Sequence, residues 1–202
     1  MTPRSLLALA GAVVALAAPA TAQAQAEATP DQAAKLGHEA YRYGVPLLEL
    51  LRIRTEMTSV RAPDERGNAP VNTFSHARKF ATPRDRTVVA PNVDTLYSLA
   101  HLDLGKGPIV LSHPDMGSRY FDFEFVDPYT NVLGYEGTRV TGRAAGRVAI
   151  VWTKGHKPAP RGMRVIRSPY KRVWVIGRTL ATDTAADRRR AAACALAGTA
   201  TA

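Results

Sequence analysis

The sequence lacks disulfides and the catalytic signatures that spacing alone can reveal. Cys194 is its single cysteine, which excludes an intramolecular disulfide. The chain contains no Gly-x-Ser-x-Gly, no phosphate-binding Gly-x-x-x-x-Gly-Lys loop, no His-Glu-x-x-His and no Cys-x-x-Cys. Its histidines occur singly, so none forms the i, i+2 or i, i+4 pair of a local metal site. A catalytic or metal site would therefore have to be assembled from distant strands.

Long apolar runs are missing too, apart from one near the N-terminus. Residues 6–18 carry no charge, follow Arg4 and end at Pro19, and residues 20–22 (Ala-Thr-Ala) have the small-residue spacing of a cleavage site. A spanning helix needs about 20 apolar residues, so this run is too short to cross a membrane. The pattern predicts a cleavable signal peptide over residues 1–26. We expect an exported protein, periplasmic or secreted, without a membrane span after cleavage.

What is present is an ordinary globular composition, 46% hydrophobic and 22% charged, with a net charge of +10. Residues 27–138 carry 12 basic and 15 acidic side chains, whereas residues 139–190 carry 14 basic and 2 acidic ones. Such asymmetry is typical of a polyanion-binding surface, here between Arg139 and Arg178. We favour the alternatives to polyanion binding, which are a solvated arginine-rich face and a surface that meets an acidic partner domain. We expect no nucleic-acid partner, since exported proteins rarely meet one.

Helical signals begin directly after the expected cleavage site. Thr29 is a suitable N-cap, Pro30 fits the first helical position, and Gln32 completes a capping box with Thr29. Apolar residues then recur at helical spacing. Because proline removes a backbone donor and restricts its neighbour, residues 44–46 (Gly-Val-Pro) predict an interruption between two helices. We therefore expect a helical lead-in over residues 27–57.

Strand signals dominate the rest of the chain, after an irregular connection over residues 58–86. Phe121, Phe123 and Phe125 alternate with polar residues, as on a half-buried strand, and Gly, Pro and Asp clusters separate short apolar runs. This pattern predicts an antiparallel β-sandwich or barrel over residues 58–180. The expected strands cover residues 96–104, 108–112, 120–126, 148–152, 163–166 and 172–176.

The candidate site lies where a turn enters a strand, at residues 91–98 (Pro-Asn-Val-Asp-Thr-Leu-Tyr-Ser). In one interpretation Asn92 and Asp94 satisfy local turn amides. In the other, Asn92, Asp94 and Tyr97 stand at the mouth of a pocket, with His76 from the preceding loop as acid–base partner. Polar residues also occur at Asp122 and Glu124, in the turn at 127–131, and at Arg178 after an apolar strand. For these we expect water-facing carboxylates, ordinary turn chemistry and a surface arginine.

Several short segments, taken together, resemble the family called domain of unknown function 1254 (DUF1254). The resemblance extends over about residues 34–181 and is carried by residues 44–46, 72–76, 91–98, 107–111, 117–120, 127–132 and 173–179. It implies N-terminal helices leading into an immunoglobulin-like β-sandwich. Because the family has no assigned activity, no catalytic residue or cofactor is implied. Members usually carry a second β domain, of unknown function 1214, after this one.

The end of the chain departs from that resemblance. Residues 181–202 form an Ala/Arg-rich tail where a connecting helix and the second domain are expected, and alanine and arginine are typical of GC-rich codons read out of frame. Our hypothesis is a frameshifted tail and a missing second domain; the alternative is a genuine helical or disordered tail. The expected partners are that missing β domain, a second copy of this chain or a small-molecule ligand.

The sequence favours an exported module of unknown function that binds a ligand or partner. The absence of catalytic signatures and the spread of polar residues among turns support this interpretation. The alternative is a hydrolase-like or metal-assisted enzyme that uses His76, Asp94 and Tyr97. The sequence identifies neither a ligand nor a cofactor.

Overall fold

The computed structural model describes residues 28–86, 90–196 and 199–201. The predicted signal peptide lies outside these residues. Among the described ranges, none of the helices combines the length and the apolar character needed to cross a membrane. The chain divides into two units, residues 1–38 and 39–202, and the second contains the strands described below.

Helix α1 spans Pro30–Thr58. The predicted capping box is present: the amide of Thr29 donates to Gln32 Oε1 at 2.9 Å, and the amide of Gln32 donates to Thr29 Oγ1 at 3.3 Å. The predicted interruption is wrong, because the helix continues through Pro46. A proline removes one hydrogen bond of the helical ladder. The turns that follow compensate for this loss, since Leu50 is buried against the body of the second unit.

The described residues form nine strands and a second helix. In chain order these are β1 (Ser75–His76), β2 (Thr95–Asp103), β3 (Ile109–His113), β4 (Phe121–Val126), β5 (Val132–Gly137), β6 (Gly146–Trp152), β7 (Arg164–Ser168), β8 (Arg172–Leu180), α2 (Ala185–Leu196) and β9 (Thr199–Thr201). The six predicted strands correspond to β2, β3, β4, β6, β7 and β8. The sequence patterns missed β5 because Gly134 and Gly137, both with positive φ, interrupt its alternation.

Two sheets result. The first has the order β1-β2-β8-β4-β5, and all its neighbouring strands are antiparallel. The second has the order β7-β6-β3-β9 and is mixed, because β6 and β7 run parallel. The prediction of a mainly β protein with an N-terminal helix is confirmed, but purely antiparallel pairing fails for this one pair. Residues 153–163 provide the longer connection that a parallel pair requires.

One hydrophobic cluster contains buried side chains from both sheets. Phe121, Phe123 and Phe125 all point into it, as their alternation predicted, and Val148 and Ile150 of β6 belong to the same cluster. Burying a side chain of this size contributes about 1.5–3 kcal/mol. The polar residues between the phenylalanines therefore have to lie on the opposite face of the five-stranded sheet.

The Ala/Arg-rich tail forms helix α2, which is tied to the strands by Asp187. The guanidinium of Arg119 donates to both carboxylate oxygens, at 2.6 and 3.1 Å, and the amide of Thr182 donates to Asp187 Oδ2 at 2.7 Å. Hydrogen bonds from Arg119 hold the pKa of Asp187 well below its usual range. Ala191 and Ala192 pack in a small second cluster with Leu96. This segment is thus helical over residues 185–196, while its frameshift origin stays a prediction.

Candidate functional site

Asn92 has the local role that the simpler interpretation gave it. Its Oδ1 accepts hydrogen bonds from the amide of Thr95 at 2.9 Å, from the hydroxyl of Thr95 at 2.8 Å and from the amide of Asp94 at 3.3 Å. These contacts fix the turn that enters β2. The Asp94 side chain is exposed, and its backbone carbonyl accepts from the amide of Ala181 at 3.0 Å.

His76 and Tyr97 lie on opposite faces of the five-stranded sheet. His76 pairs with Ser98, and its Nδ1 lies 2.9 Å from the Ser98 hydroxyl. Tyr97 precedes Ser98 on β2, so its side chain projects from the other face, opposite Arg178 of β8. Burial, followed by the charge of Arg78, lowers the pKa of His76 to about 4. The structure therefore does not bring His76 and Tyr97 into one pocket.

The face that carries Tyr97, here called the outer face, collects most of the polar side chains of this sheet. It also carries Leu99, His101, Asp122, Glu124, Tyr135, Arg172, Trp174, Ile176 and Arg178. Arg178 lies between the two carboxylates that alternate with the core phenylalanines, 3.1 Å from Glu124 and 3.7 Å from Asp122. The carboxylates thus belong to an ion-pair network.

Two tyrosines extend this network. The Tyr120 hydroxyl donates to Asp122 Oδ2 at 3.2 Å, and the Tyr135 hydroxyl donates to Glu124 Oε1 at 3.1 Å. Burial raises the pKa of Asp122, although the charge of Arg178 opposes the shift. Its second oxygen, Oδ1, is buried without a hydrogen-bond partner among the described residues. One carboxylate of the pair is therefore incompletely satisfied.

A small recess lies further along the outer face, against the C-terminal half of α1. Its walls include Leu50 and Arg54 of α1, His101 of β2, Pro128, and Arg172 and Trp174 of β8. His101 pairs directly with Trp174, and their rings stack with centroids 5.4 Å apart and planes 11° apart. The recess has room for about one water-sized group.

Four polar atoms of the recess are buried without a hydrogen-bond partner among the described residues. They are Arg54 Nε, His101 Nε2, Arg172 Nε and Trp174 Nε1. Burial, followed by the charge of Arg54, lowers the pKa of His101 to about 4, so its imidazole is neutral near pH 7. Burial and the charge of Arg172 also lower the pKa of Arg54, against a smaller opposing effect of Asp103. The recess therefore holds two guanidiniums that repel each other.

A second buried polar cluster connects the two sheets inside the core. His113 of β3 and Glu136 of β5 have side chains 2% and 4% exposed, and His113 Nε2 lies 3.3 Å from Glu136 Oε1. Glu136 also accepts from Arg164 at 2.8 Å and from the Thr141 hydroxyl at 2.9 Å. Gly146 permits this approach, since a Cβ there would stand 2.5 Å from His113 Nε2.

Both ring nitrogens of His113 face acceptors. Nδ1 lies 3.0 Å from the carbonyl of Pro114, while Nε2 faces the Glu136 carboxylate. Burial lowers the pKa of His113, but these hydrogen bonds outweigh burial and raise it overall. Burial likewise raises the pKa of Glu136, and the bonds from His113, Thr141 and Arg164 reverse the shift. The geometry favours an imidazolium paired with a carboxylate.

The sequence interpretation noted Asp122, Glu124 and Arg178 but missed the recess. Arg54, His101, Arg172 and Trp174 are far apart in the chain and belong to no motif. A signal was nevertheless available, because His101, Arg172 and Trp174 alternate with the buried core residues of β2 and β8. Among the described residues, no three His, Cys, Asp or Glu side chains lie close enough together to hold a metal ion.

The comparison with known protein families identifies a family of unknown function. Residues 71–199 match the model of the family described as "Protein of unknown function (DUF1254)". The chain therefore belongs to this family, as the sequence motifs predicted. The match includes α2 and reaches β9, beyond the position near residue 181 where the motifs end. No curated protein matches the chain.

The solved structures similar to this chain include one from Vibrio parahaemolyticus and one from Burkholderia cenocepacia. The VPA0106 protein from Vibrio parahaemolyticus is 22% identical with a TM-score of 0.66, over 82% of this chain. An uncharacterised protein from Burkholderia cenocepacia is 18% identical with a TM-score of 0.38, over 78% of this chain. The chain spans 37% and 40% of the lengths of these two structures. The Vibrio protein thus shares the fold of this chain.

Proposed function

We propose that this DUF1254 chain is an exported binding module on an immunoglobulin-like β-sandwich scaffold, and that the outer face of its five-stranded sheet is the binding surface. The observation that carries the proposal is the distribution of unsatisfied polar atoms. Five buried side-chain nitrogen and oxygen atoms of the described residues lack a partner, and all five lie on the outer face or on α1 against it.

The physical argument rests on the cost of such atoms. Folded proteins pair nearly all their buried polar groups, and one left unpaired costs about 1–3 kcal/mol. Five such atoms, on the outer face and on α1 against it, together amount to a large destabilisation. A ligand or partner that supplies hydrogen bonds to this face would recover much of that free energy. Export is supported by the signal-peptide pattern over residues 1–26.

Two kinds of binding partner fit this face. A small polar ligand would use the recess and the neighbouring network of Asp122, Glu124 and Arg178. The second β domain implied by the family resemblance would cover the whole face instead. A thermal-shift screen of the full chain distinguishes them, with neutral, basic and acidic small molecules in one arm and a separately expressed DUF1214 domain in the other.

Hydrogen exchange of each stabilised complex then maps the surface. We expect slower exchange in β2, in β8 and in residues 50–54, with unchanged exchange in β6 and β7. Slowing centred on residues 76 and 92–95 instead, lost in Asp94→Ala and His76→Ala, would favour the enzyme alternative. If no ligand or domain stabilises the chain, the proposal is wrong.

A further inference from the structure

The recess differs from the rest of the outer face in presenting donors almost exclusively. Arginine Nε and tryptophan Nε1 can only donate, and three of the four unpartnered atoms are of these types. The fourth is Nε2 of His101, a residue that is 5% exposed and whose neutral ring donates from one nitrogen. A group that binds here must therefore bring acceptors.

The charges of the recess point the same way. Arg54 and Arg172 form no ion pair with any described side chain, although both line the recess. Asp103 pairs with Arg172 across β2 and β8, and its charge raises the pKa of Arg54, but this effect is smaller than those of burial and of Arg172. Because one carboxylate carries a single negative charge, Asp103 offsets only part of the positive charge of the two guanidiniums. An anion between them would neutralise their repulsion and accept from both.

We propose that the recess binds an oxyanion, the carboxylate or phosphate group of a small ligand, between Arg54 and Arg172. This inference rests on the proposed function and names the chemistry of its ligand. Because the recess accommodates about one water-sized group, a single oxygen of the anion inserts beside His101 and Trp174. The rest of the ligand lies outside the recess, whose walls also include the apolar residues Leu50 and Pro128.

Trp174 provides a direct reporter of this site. The chain contains two tryptophans, so Trp152→Phe leaves Trp174 as the single emitter. Sodium phosphate, sodium acetate and neutral acetamide are titrated into this variant of the full chain at constant ionic strength set with sodium chloride. We expect phosphate or acetate to change the Trp174 emission and raise Tm in a saturable way, and chloride to have no such effect.

Matched variants assign the effect to the two arginines. In the Trp152→Phe background, Arg172→Gln and Arg54→Gln are each expected to weaken binding about tenfold or more, because each removes a charged donor. Arg161→Gln, an exposed site with the same change of charge, serves as the control and should bind normally. Arg172→Lys keeps the charge if the glutamine variant fails to fold, and it should bind with intermediate affinity.

Each outcome of these titrations has a distinct meaning. Saturation by phosphate or by acetate supports the proposal and identifies a tetrahedral or a planar group. A response to acetamide equal to that of acetate overturns the oxyanion while the binding module stands. If the control Arg161→Gln weakens binding as much as Arg172→Gln does, the recess is not the binding site. If none of the added ligands produces a response and a crystal structure shows a single ordered water in the recess, this inference is overturned. The thermal-shift screen with the DUF1214 domain then remains as the test of the proposed function.

Discussion

The molecule contains two buried polar clusters that differ in how completely their charges and hydrogen-bonding atoms are paired. Inside the core, Glu136 receives hydrogen bonds from His113, Thr141 and Arg164, so positive and negative groups match. In the recess on the outer face, Arg54 and Arg172 form no salt bridge with a described carboxylate, and four polar atoms have no partner among the described residues. One cluster is complete within the described chain, and the other is not.

The difference separates a structural cluster from a binding one. A satisfied buried ion network joins β3, β5 and β7 through their side chains and needs no further partner. An unsatisfied one lowers stability and gains its hydrogen bonds when something binds. Substitutions at the two clusters should therefore differ in their effect on stability, with large losses in the core cluster and small ones in the recess.

The largest effect is expected for Glu136→Gln. This change leaves the imidazolium of His113 and the guanidinium of Arg164 without their counter-charge, and breaking a buried pair costs about 3–5 kcal/mol. Urea denaturation measures the free energy of unfolding. The control is Glu65→Gln, whose side chain is 52% exposed in an ion pair of 3.7 Å, with an expected change within about 0.5 kcal/mol. Equal losses in the two variants would remove the distinction between the clusters.

The core cluster should also make stability depend on pH. The pKa of His113 is raised in the folded state, so its contribution is complete below the unfolded value of about 6.5 and is lost as pH rises through the folded pKa. We expect the wild-type chain to lose free energy of unfolding over this upper range and His113→Gln to lose less. Parallel curves, or an NMR titration of His113 below pH 6.5, would contradict the imidazolium assignment.

A smaller effect is expected at the turn before β2. Asn92→Ala removes three hydrogen bonds of one side-chain oxygen and should cost about 1 kcal/mol, in the range of lost capping residues. Asp94→Ala should change the free energy by less than about 0.5 kcal/mol, since that side chain is exposed. Chemical denaturation of both variants is the measurement. A larger loss of free energy of unfolding for Asp94→Ala would mean that this carboxylate has a structural role despite its exposure.

The smallest effect is expected for Arg172→Gln in the absence of ligand. Removing an unpaired, partly buried charge also removes its repulsion with Arg54, so the free energy of unfolding should change by less than about 1 kcal/mol or increase. The same urea denaturation compares it directly with Glu136→Gln. A loss of the size expected for Glu136→Gln would mean that Arg172 has a structural partner, and that the recess is not a binding site.

Features that depend on neighbours in the chain were predictable from sequence. The capping box at Thr29 and the inward phenylalanines of β4 follow from spacing alone, because one helical turn or one strand defines the geometry. The turn role of Asn92 was one of two interpretations of the sequence, and only the structure shows the three hydrogen bonds that this role requires. The helix through Pro46 shows the limit of such rules, since packing of the later turns outweighs one lost backbone bond.

The sequence by itself determined a mainly β chain with a capped N-terminal helix, an alternating core strand and membership of the DUF1254 family. The tertiary structure decided which polar residues meet. His113 and Glu136 are 23 positions apart and on different sheets, and Arg54 of α1 lines the same recess as Arg172 of β8. Neither pairing leaves a periodic trace, because strand order and sheet packing depend on hydrophobic contacts summed over the whole core, not on spacing within one segment.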